Sequence, residues 1–103
     1  MDIDDIHRLF EAERFSLSDH AASKIVERNI LRHEIIEAGS TSEIIEDYPD
    51  DKYSPSCLLF GLSGGGRPLH IQICYTEMDL LKIITTYEPN PAKWLSFRVR
   101  RSL

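Results

Sequence analysis

The chain has 103 residues, with 42% hydrophobic and 28% charged side chains, which matches one globular domain and excludes a disordered or membrane-embedded chain. No apolar run approaches the roughly 18 residues that span a bilayer, and the acidic start Met1-Asp2-Ile3-Asp4-Asp5 does not read as a signal peptide, so cytoplasmic residence is expected. A net charge of −5 argues against a general nucleic-acid binder, although it hides an asymmetry: residues 1–51 carry 5 Lys/Arg against 14 Asp/Glu, and residues 52–103 carry 7 against 3.

Residues 3–13 predict an amphipathic helix, with Ile3, Ile6, Leu9 and Phe10 at helical spacing and aspartates at its start. Phe15 and Leu17 alternate with serines and suggest a short extended link. Ser18 or Asp19 is a natural N-cap for a second helix over 19–28. Its expected apolar side holds Ala21, Ala22, Ile25 and Val26, and His20, Lys24 and Arg28 form a cationic stripe at four-residue spacing. Asn29 suits a left-handed stop. A third helix, 31–38, carries Leu31, Ile35, Ile36 and Ala38, with Gly39 to end it.

From there the period changes to that of strands. Residues 43–48 predict a strand and 49–55 a loop. Residues 57–62 predict a buried strand, Ser63-Gly64-Gly65-Gly66 a turn, and 67–75 its return. The return strand alternates, with Leu69, Ile71, Ile73 and Tyr75 toward the core and His70, Gln72 and Cys74 away from it. A turn near Glu77-Met78-Asp79 leads to a strand over 80–88, closed by Pro89 and Pro91. Simple alternation in this strand puts Leu81, Ile83, Thr85 and Tyr87 with the core and Lys82, Ile84 and Thr86 beside His70. Residues 92–97 predict one helical turn around Trp94. Helices before strands mean an α+β domain, with N-terminal helices on an antiparallel sheet of three to four strands, in a single unit spanning 1–103.

Several residues could carry chemistry. A histidine ordinarily titrates near neutral pH, so His70 is expected to be able to move a proton, and Arg67 nearby could clamp a phosphate through two hydrogen bonds. His20 starts a helix, where the dipole favours a neutral imidazole able to act as a base. Each also has a structural reading: a hydrogen-bonded strand histidine, a solvated helix stripe, a packed Tyr87, and a Trp94 that lids the core. Cys57 and Cys74 read as buried thiols in a reducing compartment. The Cys/His spacing predicts no metal site, and no cofactor is expected.

The stretches His20-Ala21, Glu27-Arg28-Asn29-Ile30, Ile45-Glu46-Asp47-Tyr48-Pro49-Asp50-Asp51, Pro55-Ser56-Cys57-Leu58, Gly66-Arg67-Pro68-Leu69-His70 and Ile83-Ile84-Thr85-Thr86-Tyr87-Glu88-Pro89, with Trp94, occur in this order. Over about residues 18–97 the chain resembles a bacterial and cyanobacterial family of small domains of unknown function described as toxin-like. The resemblance implies a fold like the RelE and BrnT toxins, metal-independent ribonucleases of type II toxin–antitoxin pairs. It also implies an antitoxin-like partner of zinc-finger or helix-turn-helix type. The matched polar positions are His20, Arg28, Arg67, His70 and Tyr87. The family often has arginine where this chain has Lys24, which keeps the charge but lacks the planar fork.

The expected function is therefore an RNA endonuclease. His70 or His20 would deprotonate the ribose 2′-hydroxyl, Arg67 and Arg28 would stabilise charge on the phosphate, and Tyr87 or the second histidine would protonate the leaving oxygen. Lys24, Lys82, Arg98, Arg100 and Arg101 would contact RNA. The alternative is a non-catalytic module of the same fold that binds the antitoxin-like partner.

Overall fold

The computed structural model describes residues 2–52, 54–76 and 79–102. Glu77 and Met78 of the expected turn, and Tyr53 of the expected loop, lie outside the described residues.

Three helices lie in the first forty residues, with one short strand between the first two: α1 (Ile3–Glu11), α2 (Asp19–Glu27) and α3 (Arg32–Ser40). Helix α1 is capped by Asp2, whose carboxylate accepts from the Asp4 amide, and it buries Ile6, Leu9 and Phe10. Ser18 caps α2, and Asn29 (φ 54°) turns the chain out of it, as its residue type predicts. The apolar side of α2 is narrower than expected: Ala21 is buried and Ile25 half-buried, but Ala22 is exposed and Val26 is 76% exposed. Gly39 lies inside α3 and does not end it. A Cβ there would stand 2.4 Å from the Phe10 ring, so glycine is what lets α1 pack onto α3.

The sheet departs from the expected three to four antiparallel strands. It has five: β1 (Phe15–Leu17), β2 (Glu43–Tyr48), β3 (Ser56–Leu62), β4 (Pro68–Tyr75) and β5 (Leu81–Tyr87), in the order β1-β5-β4-β3-β2. Strands β2 to β5 form the antiparallel meander, and β1 joins β5 in parallel, making the sheet mixed. Three residues are too few for periodicity to reveal, and a parallel partner lies far along the chain, so β1 reads in the sequence as a link.

One face of the sheet meets the helices. Leu59, Leu69, Ile71, Ile73, Leu81 and Ile83 pack there with Ile6, Phe10 and Ile35 as one buried cluster. Gly61 lets α3 lie directly on β3, since a Cβ at that position would stand 2.0 Å from the Ala38 carbonyl oxygen. The opposite face is half covered. After a turn at Asn90–Lys93, two short strands, β6 (Trp94–Leu95) and β7 (Val99–Arg100), form a hairpin where one helical turn was expected. Among the described residues the hairpin is a separate two-stranded unit that shares no ladder with the main sheet.

A β-bulge sets which residues share the hairpin's face. In the β4–β5 ladder Gln72 pairs with Thr85 and Ile73 with Ile83, so Ile84 is the extra residue and the alternation beyond it reverses. Tyr87, expected toward the core, instead stands opposite His70 on the outer face. Thr86, expected beside His70, is fully buried on the core side opposite Ile71, and its hydroxyl donates to the His70 carbonyl at 2.8 Å.

Candidate functional site

The outer face beneath the hairpin is built around His70. Its ring is 0% exposed, enclosed by Phe60 of β3, Tyr87 of β5, and Trp94 and Phe97 of the hairpin. Trp94 meets it edge-to-face, with ring centroids 4.5 Å apart. Phe97 also packs on Phe60 at 5.8 Å. Both imidazole nitrogens have partners. Nε2 donates to the Phe97 carbonyl at 2.6 Å, which leaves Nδ1 as the acceptor for the Tyr87 hydroxyl at 3.2 Å. This tautomer is neutral. Burial holds the His70 pKa below its ordinary value, against an upward pull from the Phe97 carbonyl and the Glu46 carboxylate. Burial likewise raises the Tyr87 phenol, so it too stays neutral.

The rim is ionic. Arg98 pairs with Glu43 and lies 4.8 Å over the Phe60 ring; Arg100 donates to Glu46 at 2.9 Å and lies 4.6 Å over Trp94. Burial pushes the Glu46 carboxyl up, but hydrogen bonds from Arg100 and Tyr48 outweigh it and hold the group below its ordinary value. Two of the cations expected on RNA thus tie the hairpin to the acidic edge strand β2. Arg101, the third, donates to the Pro91 carbonyl at 2.9 Å within its own segment.

The guanidinium groups expected on phosphate are engaged with backbone. Arg67 donates to the Arg28 carbonyl (3.0 Å), the Asn29 carbonyl (2.9 Å), Glu34 (3.1 Å) and Glu88 (3.1 Å). It joins the end of α2, the start of α3 and the end of β5. Arg28 donates to the Thr86 carbonyl at 2.8 Å, and Ser18 donates to the Ile84 carbonyl at 2.9 Å. The two bracket α2 and hold it along the β5 edge beyond the reach of β1. Lys24 pairs with Glu27 at 3.1 Å, and that hydrogen bond lowers the Glu27 pKa. His20 is exposed on α2 and is not among the groups around the His70 ring. Lys82 is exposed on the outer face opposite Cys74, beside an open groove that Ser18, Gln72 and Ile84 also line.

Of the five expected catalytic residues, the structure brings together His70 and Tyr87. Arg67 and Arg28 meet each other around the α2 terminus, and His20 stands apart. Phe60, Phe97, Glu43 and Glu46 complete the surroundings and were missed from the sequence. The run Phe97-Arg98-Val99-Arg100, with two arginines at strand spacing, was the one local hint of the hairpin, and Phe60, Glu43 and Glu46 carry no local mark of their place beside it. The buried Cys57 thiol, pushed up to about 11 by burial and then by Asp47, lies on the core face. Among the described residues no three His, Cys, Asp or Glu side chains gather as metal ligands, and no helix is long and apolar enough to cross a membrane.

Helices on one side of a mixed sheet and an aromatic–histidine cluster under a hairpin on the other define a small α+β domain with a capped outer face. The model of the family described as "Domain of unknown function (DUF4258)" matches residues 17–88, and the chain belongs to that family. The match runs from Leu17, the last residue of β1, through the end of β5 and stops before the hairpin. No curated protein and no solved structure matches the chain.

Proposed function

We propose that this chain is a non-catalytic protein-binding module. One observation carries the reading: the imidazole that would have to move a proton is fully buried, and both of its nitrogens are already hydrogen-bonded. The engagement of Arg67 and Arg28 with main-chain carbonyls supports it: four of the five Arg67 donors are taken by carbonyls and carboxylates, so its fork is not open for two-point binding of a phosphate, and Arg28 is drawn to the Thr86 carbonyl. The surface on offer is the outer edge of β2 and the open half of the outer face around Gln72 and Lys82. The partner is an antitoxin-like protein of zinc-finger or helix-turn-helix type, and the setting is cytoplasmic. Helices followed by an antiparallel meander support a RelE/BrnT-like reading of the fold.

The second reading is the metal-independent ribonuclease. The His70–Tyr87 contact at 3.2 Å favours it, since that pair could share general acid–base work if the hairpin left.

The test is induced expression in bacteria with and without the neighbouring gene, together with RNA cleavage by the purified chain and by Tyr87→Phe. That substitution keeps the ring and removes only the hydroxyl. A module gives no cleavage above buffer from either protein and co-purifies with the neighbour's product. Growth arrest with RNA cleavage that Tyr87→Phe lowers by roughly 10²-fold or more overturns the module in favour of the enzyme.

A further inference from the structure

We propose that the C-terminal hairpin is a pH-sensitive cap, held shut by the neutral ring of His70 and lifted from the outer face when that ring takes a second proton, while the helices and the five-stranded sheet stay folded. The latch belongs to the fold and does not depend on what the uncovered surface binds.

The way the hairpin is attached makes it separable. Among the described residues its ladder joins only its own two strands, so no ladder to the main sheet has to break for it to leave. A two-stranded hairpin is marginal alone and depends on what it packs against. Here that is Trp94 and Phe97 on the His70–Phe60 floor, two ion pairs at the rim, and the His70–Phe97 hydrogen bond. The tip favours release. Ser96 and Phe97 have φ of 52° and 61°, and the Arg98 amide bonds the Leu95 carbonyl at 3.0 Å. Two successive left-handed residues in such a turn suit Asn-Gly, not Ser-Phe, so docking holds a strained turn in place.

The ring is the part that senses protons. Its second proton must go on Nδ1, which now accepts from Tyr87. The hydroxyl could turn to accept, but the imidazolium would then sit fully buried in an aromatic box. The charges facing it are Glu46 from β2 and Arg100 from β7, with Glu43 and Arg98 at the rim; Tyr48 of β2 and Tyr87 of β5 are neutral phenols. Glu46 attracts the charge, yet Arg100 lies against it and offsets that attraction. Opening returns the ring to water, where it carries a proton readily. The apolar cluster on the helix face is built of Ile, Leu, Phe, Ala and Cys side chains, which take up no proton over this pH range.

Trp94 is the single tryptophan of the 103 residues and is 4% exposed, so the chain reports on its own cap. The experiment follows Trp94 emission and acrylamide quenching from about pH 8 to about pH 5, with far-UV circular dichroism on the same samples. The expected result is a red shift and a severalfold rise in quenching, with a midpoint below the ordinary histidine value of 6.5 and unchanged dichroism. His70→Gln, whose amide can still donate to Phe97, abolishes the transition. Should that variant fail to fold, Ser96→Gly decides the matter with His70 intact: relieving the turn holds the cap tighter and moves the midpoint to lower pH. A Trp94 signal that changes only together with the dichroism overturns the proposal. So does a transition that survives in folded His70→Gln, or a midpoint that Ser96→Gly leaves in place.

Discussion

Arg67 shows how one side chain can look like a phosphate clamp and act as a staple. Its fork points at the carbonyls of Arg28 and Asn29, which α2 leaves unpaired at its end, and its remaining donors reach Glu34 and Glu88. Arg67→Lys keeps the charge and loses the fork. We expect a loss of roughly 1–3 kcal/mol, read as a lower urea midpoint with unchanged slope. An Arg67→Lys protein as stable as the parent would remove the staple from the account. Tyr87 has a similar double reading, and its position beside His70 comes from the Ile84 bulge rather than from strand alternation.

At the level of elements, the helices are held to the sheet by small residues and by caps. Ser18 caps α2 through the Ala21 amide and also donates to the Ile84 carbonyl at the bulge. Ser18→Ala removes both bonds and should cost about 1–2 kcal/mol in thermal or urea unfolding. Gly61 is the point where α3 touches β3. A methyl group there meets the Ala38 backbone at 2.0 Å, and backbone cannot swing aside as a flexible side chain can. Gly61→Ala should therefore cost roughly 3 kcal/mol or more, or leave the protein unfolded on expression. The hairpin differs in kind, because side-chain packing, ion pairs and the His70 bond to the Phe97 carbonyl fasten it, with no strand ladder to the main sheet among the described residues. Its ion pairs include the half-exposed Arg98 and Glu43, so high salt should weaken the docking without weakening the core.

Across the whole molecule, the acidic first half and basic second half meet where the hairpin crosses the sheet edge: Arg98 on Glu43 and Arg100 on Glu46. Stability should depend on pH through His70 first. Its folded pKa lies below the ordinary 6.5, so the unfolded chain binds more protons as the solution acidifies. The stabilisation is complete above 6.5 and is lost as pH falls through the folded value. Below the ordinary carboxylate value of 4.5, Glu46 adds a loss of the same sign, because its folded pKa is lowered too. Urea midpoints measured at about pH 8 and about pH 5.5 should differ in the parent and converge in His70→Gln. Equal midpoints in the parent would mean that the ring takes up its proton without cost.

Local pattern alone determined much of this protein. The three helices, the Ser18 cap, the Asn29 stop, the four meander strands and the core face of β4 are each written in short-range spacing, because periodicity and caps act within a few residues. The register was not. One extra residue at Ile84 moved Tyr87 to the outer face and Thr86 to the core, and no local signal marks which residue of a strand will bulge. The β1–β5 pairing, the enclosure of His70 by residues 24 and 27 positions further along, and the capture of Arg67 by helix termini also had to wait for the tertiary structure. These depend on which long-range partners reach a donor or a ring first, and composition and spacing carry no record of that competition.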